Sequence, residues 1–231
     1  METTLGSISL IKSEKEVIKN IKRIEKKYKK LIAWLQGSPN INKTTETEII
    51  KNILISTHNY LRYIETGAYK EIQLLALGVR SALENLVRYR FIMQNDENLK
   101  KWVSESAADY KSIIKGFSSL GDASSKNIKF FEKELIRIDQ LHKKYEYPEV
   151  KQPQQIKTMA EVAGLIKDYD TIFKVTSKLI HPSSLYINSS ASLDNHTYHN
   201  ILVIHGQLYS LMMYKEICDN LSVPKEISDF S

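Results

Sequence analysis

A single cysteine, Cys218, excludes an internal disulfide framework and any cysteine-built metal centre in this 231-residue chain. That usage fits a reducing compartment. Glycine and proline are also scarce, at 8 and 5 residues, which argues against long disordered tracts. No apolar run approaches the roughly 20 residues that span a bilayer, and the first residues lack the basic-then-apolar pattern of a secretory leader. The expectation is a cytoplasmic protein without membrane contact. Strand-like alternation, internal repeats and low-complexity segments are missing as well.

Helical periodicity fills the space these absences leave. Hydrophobic residues make up 42% and charged residues 26%, an ordinary globular balance, and the length suits one domain over residues 1–231. The net charge of +6 is uneven. Residues 1–36 hold nine Lys or Arg against four Glu, leaving a net of +1 for the rest. Ser13-x-x-Glu16 reads as a capping box, and Val17, Ile21, Ile24, Tyr28, Leu31 and Leu35 follow at alternating steps of four and three. Residues 13–36 are therefore expected as a basic amphipathic helix ended by Gly37-Ser38-Pro39.

Thr45-x-x-Glu48 marks a second helix closing at Gly67, and further helices are expected over 69–94 and 98–115. A loop over 116–125 precedes a helix through Phe131, Leu135, Ile138 and Tyr145. Pro148 and Pro153 bracket an extended connector. Thr158-x-x-Glu161 opens a helix over 158–181, and Asp194 or Asn195 caps the last, over 195–221. About seven helices and no strand predict an all-α bundle.

Two polar constellations stand out. Arg80, Glu84 and Arg88 follow at i, i+4 and i+8, so one carboxylate lies between two guanidinium groups. Ile72, Val79, Leu83 and Leu86 cover one flank of that helix, and Leu74, Leu77 and Ser81 the other, which predicts a central helix with a partly buried charged ridge. The second constellation is Ser177-Lys178-Leu179-Ile180-His181-Pro182-Ser183. Pro182 pushes His181 out of the α region, so the helix should stop at Ile180 or His181. An imidazole at that negative end of the macrodipole is favoured in its protonated form. Each has a plainer meaning: an ion network that orders the bundle, and a cap on the last turn.

Weaker signals are the basic face of the first helix (Lys12, Lys15, Lys19, Lys22, Arg23, Lys26, Lys27, Lys29 and Lys30) and three late histidines. The basic face suits phosphates or, more simply, solvent and a docking partner. His196 and His199 share a helix face that His205 does not extend, and no acidic or cysteine ligand supports a metal there. His58 and His142 are isolated.

Arg80-x-x-x-Glu84, then Tyr169 and Ser177-x-x-x-His181-Pro182-Ser183, resembles a broad family of uncharacterised helical bacterial proteins known only as a domain of unknown function. The likeness spans roughly residues 50–215 and implies Arg80, Glu84, Ser177 and His181 as its polar cluster. More distantly the chain resembles the HEPN superfamily, helical proteins that include dimeric RNA-cleaving toxins and defence effectors. Their hallmark is Arg, a polar residue and then His near a helix end; this stretch departs from it, offering Lys174 or Lys178 before His181, without Arg-Asn. The resemblance implies a metal-independent ribonuclease or nucleotide-acting effector without a cofactor, in a toxin or phage-defence setting. Its implied partners are RNA or a nucleotide, a second copy in a homodimer, and an antitoxin or other operon partner. His181, Arg80 and Glu84 would be catalytic, with Lys178, Ser177, Ser183 and Arg88 binding substrate. The alternative expectation is a non-catalytic helical interaction module.

Overall fold

Heptad-spaced apolar residues build the first helix, α1 (Glu14–Gly37), and all six seam positions from Val17 to Leu35 are buried. Ser13 caps it, its hydroxyl accepting from the Glu16 N–H at 3.3 Å. The structure is a computed structural model that describes residues 13–38, 44–119, 125–150 and 152–229. Lys12 and Pro39 lie outside the described residues. The other helices are α2 (Thr45–Gly67), α3 (Ile72–Ile92), α4 (Asp96–Ser119), α5 (Ser125–Lys144), α6 (Ile156–Val162), α7 (Ile166–Ile180), α8 (Ser184–Leu193), α9 (His196–Asn220) and α10 (Lys225–Ser228). Among the described residues there is no strand, and no helix is long and apolar enough to cross a membrane.

Among the described residues ten helices replace the expected seven, for local reasons. The stretch expected as one helix over 158–181 breaks at Gly164, whose φ of 70° only glycine adopts readily. The Leu165 N–H bonds the Ala160 carbonyl at 2.8 Å and the Gly164 N–H bonds that of Glu161, a Schellman closure of α6. The start of this region lies at Ile156 behind Gln155, so Thr158 is inside the helix and caps nothing. Two short helices, α8 and α10, follow prolines. The second helix is capped one residue earlier than expected: Thr44 and Thr47 form the reciprocal box. The expected loop at 116–119 is the last turn of α4, since a lone Gly116 does not outweigh the helix before it.

α3 is the central element, packed against α2, α9, α7 and α6. It buries Leu75, Val79, Ala82, Leu83, Leu86, Val87 and Phe91, among others. Leu74, Leu77 and Ser81, expected as a second apolar flank, are half-buried beside the ridge. Gly67 lets α3 begin against the end of α2; a Cβ there would sit 2.4 Å from the Leu75 nitrogen. α9 is likewise buried on several sides and closes on α1, where the Tyr28 hydroxyl donates to the Ser210 carbonyl at 2.7 Å.

Candidate functional site

The charged ridge forms as its spacing requires, and a second helix completes it. Arg80 Nε donates to Glu84 Oε1 at 2.9 Å, and Arg88 Nη2 donates to Glu84 Oε2 at 3.1 Å. The three side chains are 22%, 16% and 27% exposed, which makes them neither sealed nor free. From α7, Ser177 Oγ accepts from Arg80 Nη1 at 3.2 Å, and the Phe173 ring lies 4.2 Å beneath the guanidinium. The Phe173 ring lies 5.1 Å from that of Tyr169, a buried residue, tilted by 31°. Burial, reinforced by the Glu84 carboxylate, raises the Tyr169 phenol above its ordinary range. One cluster therefore joins Arg80, Glu84, Arg88, Ser177, Phe173 and Tyr169.

His181 stands at its margin. It is the C-cap of α7, with extended backbone (φ −90°, ψ 150°), and its N–H bonds the Ser177 carbonyl at 3.4 Å. The imidazole is exposed and has no hydrogen bond, ion pair or ring contact among the described residues. The ridge thus reaches α7 at Ser177, one turn before the histidine. Lys178 is exposed on that last turn. Ser183 is the N-cap of α8: its hydroxyl accepts from the Tyr186 N–H at 3.2 Å and donates to the Lys178 carbonyl at 2.9 Å. That double engagement ties the start of α8 to the last turn of α7 and commits the Ser183 hydroxyl to the backbone.

Along the same ridge, a groove of about 440 Å³ opens between α2, α3 and α4. Glu84 and Arg88 form one wall, with Asn85, Ser81, Ser56, Asn52, Tyr60 and Trp102 around them. Arg88 lies 5.8 Å from the Trp102 ring centroid. Asn52, Ser56, Tyr60 and Trp102 do not follow from the Arg80-x-x-x-Glu84 spacing, because they come from α2 and α4. A polar Asn85 at a core position of α3 was the one available signal.

Several other titratable groups have structural partners. His199 is buried; Nδ1 accepts the Tyr69 N–H at 3.0 Å and Nε2 meets Asp194 Oδ1 at 2.6 Å. This pins the turn before α3 to the start of α9, a tie between residues 130 apart. His196 faces Glu14 at 3.3 Å, and His205 Nδ1 meets the Ile201 carbonyl at 2.7 Å. No group of three potential metal ligands exists among the described residues. Burial pushes the Cys218 thiol up to about 12, which leaves it protonated and a poor nucleophile at neutral pH. Arg90 is held by Glu216 and by the Ala163 carbonyl, bracing α3 against α9 and the end of α6.

The basic face of α1 is partly engaged: Lys22 pairs with Glu65 at 3.4 Å, Lys29 with Glu25 at 2.9 Å, and Lys27 with carbonyls of Ile227 and Asp229. Lys15, Lys19, Arg23, Lys26 and Lys30 are exposed.

No curated protein and no solved structure matches the chain. A family match does exist, and it takes in the whole ridge, the α7 terminus and Ser183 while leaving out α1. The chain belongs to DUF5677, a family of unknown function that matches residues 75–198, from within α3 to the first turn of α9.

Proposed function

We propose that the protein acts on RNA or a nucleotide, without a metal, at the edge where α3 meets the end of α7. The observation that supports this reading is the Arg80–Ser177 hydrogen bond, which fixes a guanidinium one helical turn from the exposed imidazole of His181. In this role neutral His181 takes the proton of a ribose 2′-hydroxyl as that oxygen attacks the adjacent phosphorus. The bond to the 5′ oxygen breaks, the departing oxygen takes a proton from water, and a cyclic phosphate and a free 5′-hydroxyl result. Arg80 and Lys178 offset the charge that builds on the phosphorane, Arg88 and Ser177 hold the RNA backbone, and Ser183 positions the corner that carries His181. The likeness to HEPN proteins, a toxin or defence setting, a homodimer and an antitoxin or other operon partner belong to this same proposal.

The test is cleavage of labelled RNA in chelator by the wild type, His181→Ala and Arg80→Lys. His181→Ala should lose on the order of 100-fold or more in rate. Equal cleavage by wild type and His181→Ala removes the histidine from the mechanism.

A second reading has its own support. Glu84 holds both guanidinium groups, and Arg80 already spends Nε, Nη1 and a ring-facing surface on protein partners. In that reading the ridge is an ion network ordering α3 on α7 within a non-catalytic module, and the exposed lysines of α1 are its docking surface. No cleavage by any of the three proteins favours it.

A further inference from the structure

Asn85 is 8% exposed, and both hydrogens of its amide are spent inside the fold. Its Nδ2 donates to Ser56 Oγ and to Thr57 Oγ1, each at 3.0 Å. The Thr57 hydroxyl proton goes to Met213 Sδ at 3.8 Å, so the Thr57 oxygen accepts, and the amide nitrogen must be on that side. The carbonyl oxygen of Asn85 then has no hydrogen bond among the described residues and belongs to the wall of the α2–α3–α4 groove. An acceptor held in one orientation by the fold and open to the groove is placed to take a donor from outside. Around it are Trp102 and Tyr60 as aromatic surfaces, and Arg88, which has one of its guanidinium nitrogens on Glu84 and the others uncommitted.

We propose that this groove is a nucleobase subsite, in which Asn85 Oδ1 accepts from the exocyclic amine of an adenine-type base, Trp102 offers its ring face, and Arg88 takes the attached phosphate. Aromatic surface beside a fixed hydrogen-bonding group recognises an unstacked base, and a volume near 440 Å³ accommodates a mononucleotide. The assignment rests on the nucleotide reading above and gives it a ligand class.

The chain has two tryptophans, Trp34 and Trp102, so Trp34→Phe leaves Trp102 as the sole indole reporter. That protein is titrated with adenosine 5′-monophosphate, with the 5′-monophosphate of purine riboside, which has the same shape without the amine, and with inorganic phosphate. Saturable quenching by the adenine nucleotide is expected, with about tenfold weaker binding of the analogue, because a site built for a donor rejects a ligand lacking it. Ser81→Leu, which fills the groove, and Arg88→Gln should each weaken binding; melting curves verify that both fold. Equal binding of the two nucleotides, full competition by phosphate, or no quenching at millimolar ligand each overturns the subsite. RNA cleavage measured beside the titration separates the two claims. His181-dependent cleavage that survives Ser81→Leu, with no nucleotide bound, sinks the subsite and keeps the catalytic reading. Amine-dependent binding without cleavage does the opposite.

Discussion

At Glu84 one carboxylate serves two arginines, so its removal leaves two half-buried cations facing each other along α3. Exposed ion pairs contribute about 0–1 kcal/mol, and breaking a buried one costs about 3–5 kcal/mol. With side chains 16–27% exposed, Glu84→Ala is expected to fall between, near 1–3 kcal/mol in urea denaturation. A loss below about 0.5 kcal/mol would mean the ridge is solvated. This much was legible, because i, i+4 spacing on a helix dictates which side chains meet. Ser177 entered through its motif with His181, but the spacing did not show that it would bond Arg80 across 97 residues. Asn85 carried one faint signal, a polar side chain in an apolar run, and such a signal has no period: its partners lie 28 and 29 residues back on α2. His199 was weighed only as a metal ligand, and its structural tie stayed hidden because Tyr69 and Asp194 reach it only through the fold.

At the scale of elements, α1 illustrates what patterning specifies and what it omits. Its seam was readable to the residue, whereas the contact between α1 and α2 contains a pair the pattern hides. His58 Nε2 lies 3.3 Å from Glu25 Oε1, close enough for charge attraction but without hydrogen-bond alignment. Burial lowers the affinity of His58 for a proton, and the Glu25 carboxylate only partly opposes it. Burial alone would raise the Glu25 carboxyl, yet Lys29 together with His58 outweighs it and the net shift is down. The signs then follow. A histidine harder to protonate in the fold than in the unfolded chain contributes full stability above about pH 6.5, and loses it as pH falls below that value. The Glu25 contribution disappears only in the more acid range, as pH falls through its depressed folded value. Between pH 7 and 5 stability should therefore decline, and His58→Gln should flatten that part of the curve. A slope unchanged by the substitution would assign the decline to other groups. The break at Gly164 was missed for the converse reason: the apolar period runs on through Ala160 and Leu165, so only the glycine's left-handed backbone, invisible to periodicity, divides α6 from α7.

Across the molecule, burial is concentrated around α3 and α9, while α5 packs chiefly on α4 and that hairpin leaves Ile113, Phe117, Phe130 and Ile136 more than half exposed. Local opening costs least where few apolar groups are buried, so stability should be graded along this architecture. In native-state hydrogen exchange, amides of α3 and α9 should exchange slowest, at rates near those of global unfolding. Those of α5 should be the fastest among helices of 20 residues or more, by orders of magnitude. The measurement also bears on association. Exposed apolar surface of this kind is covered when copies pair, so protection of α5 that rises with protein concentration would place a second copy on the α4–α5 face. Protection equal to that of α3 at every concentration would contradict the gradient, and protection that stays low throughout would show that any homodimer forms on another face.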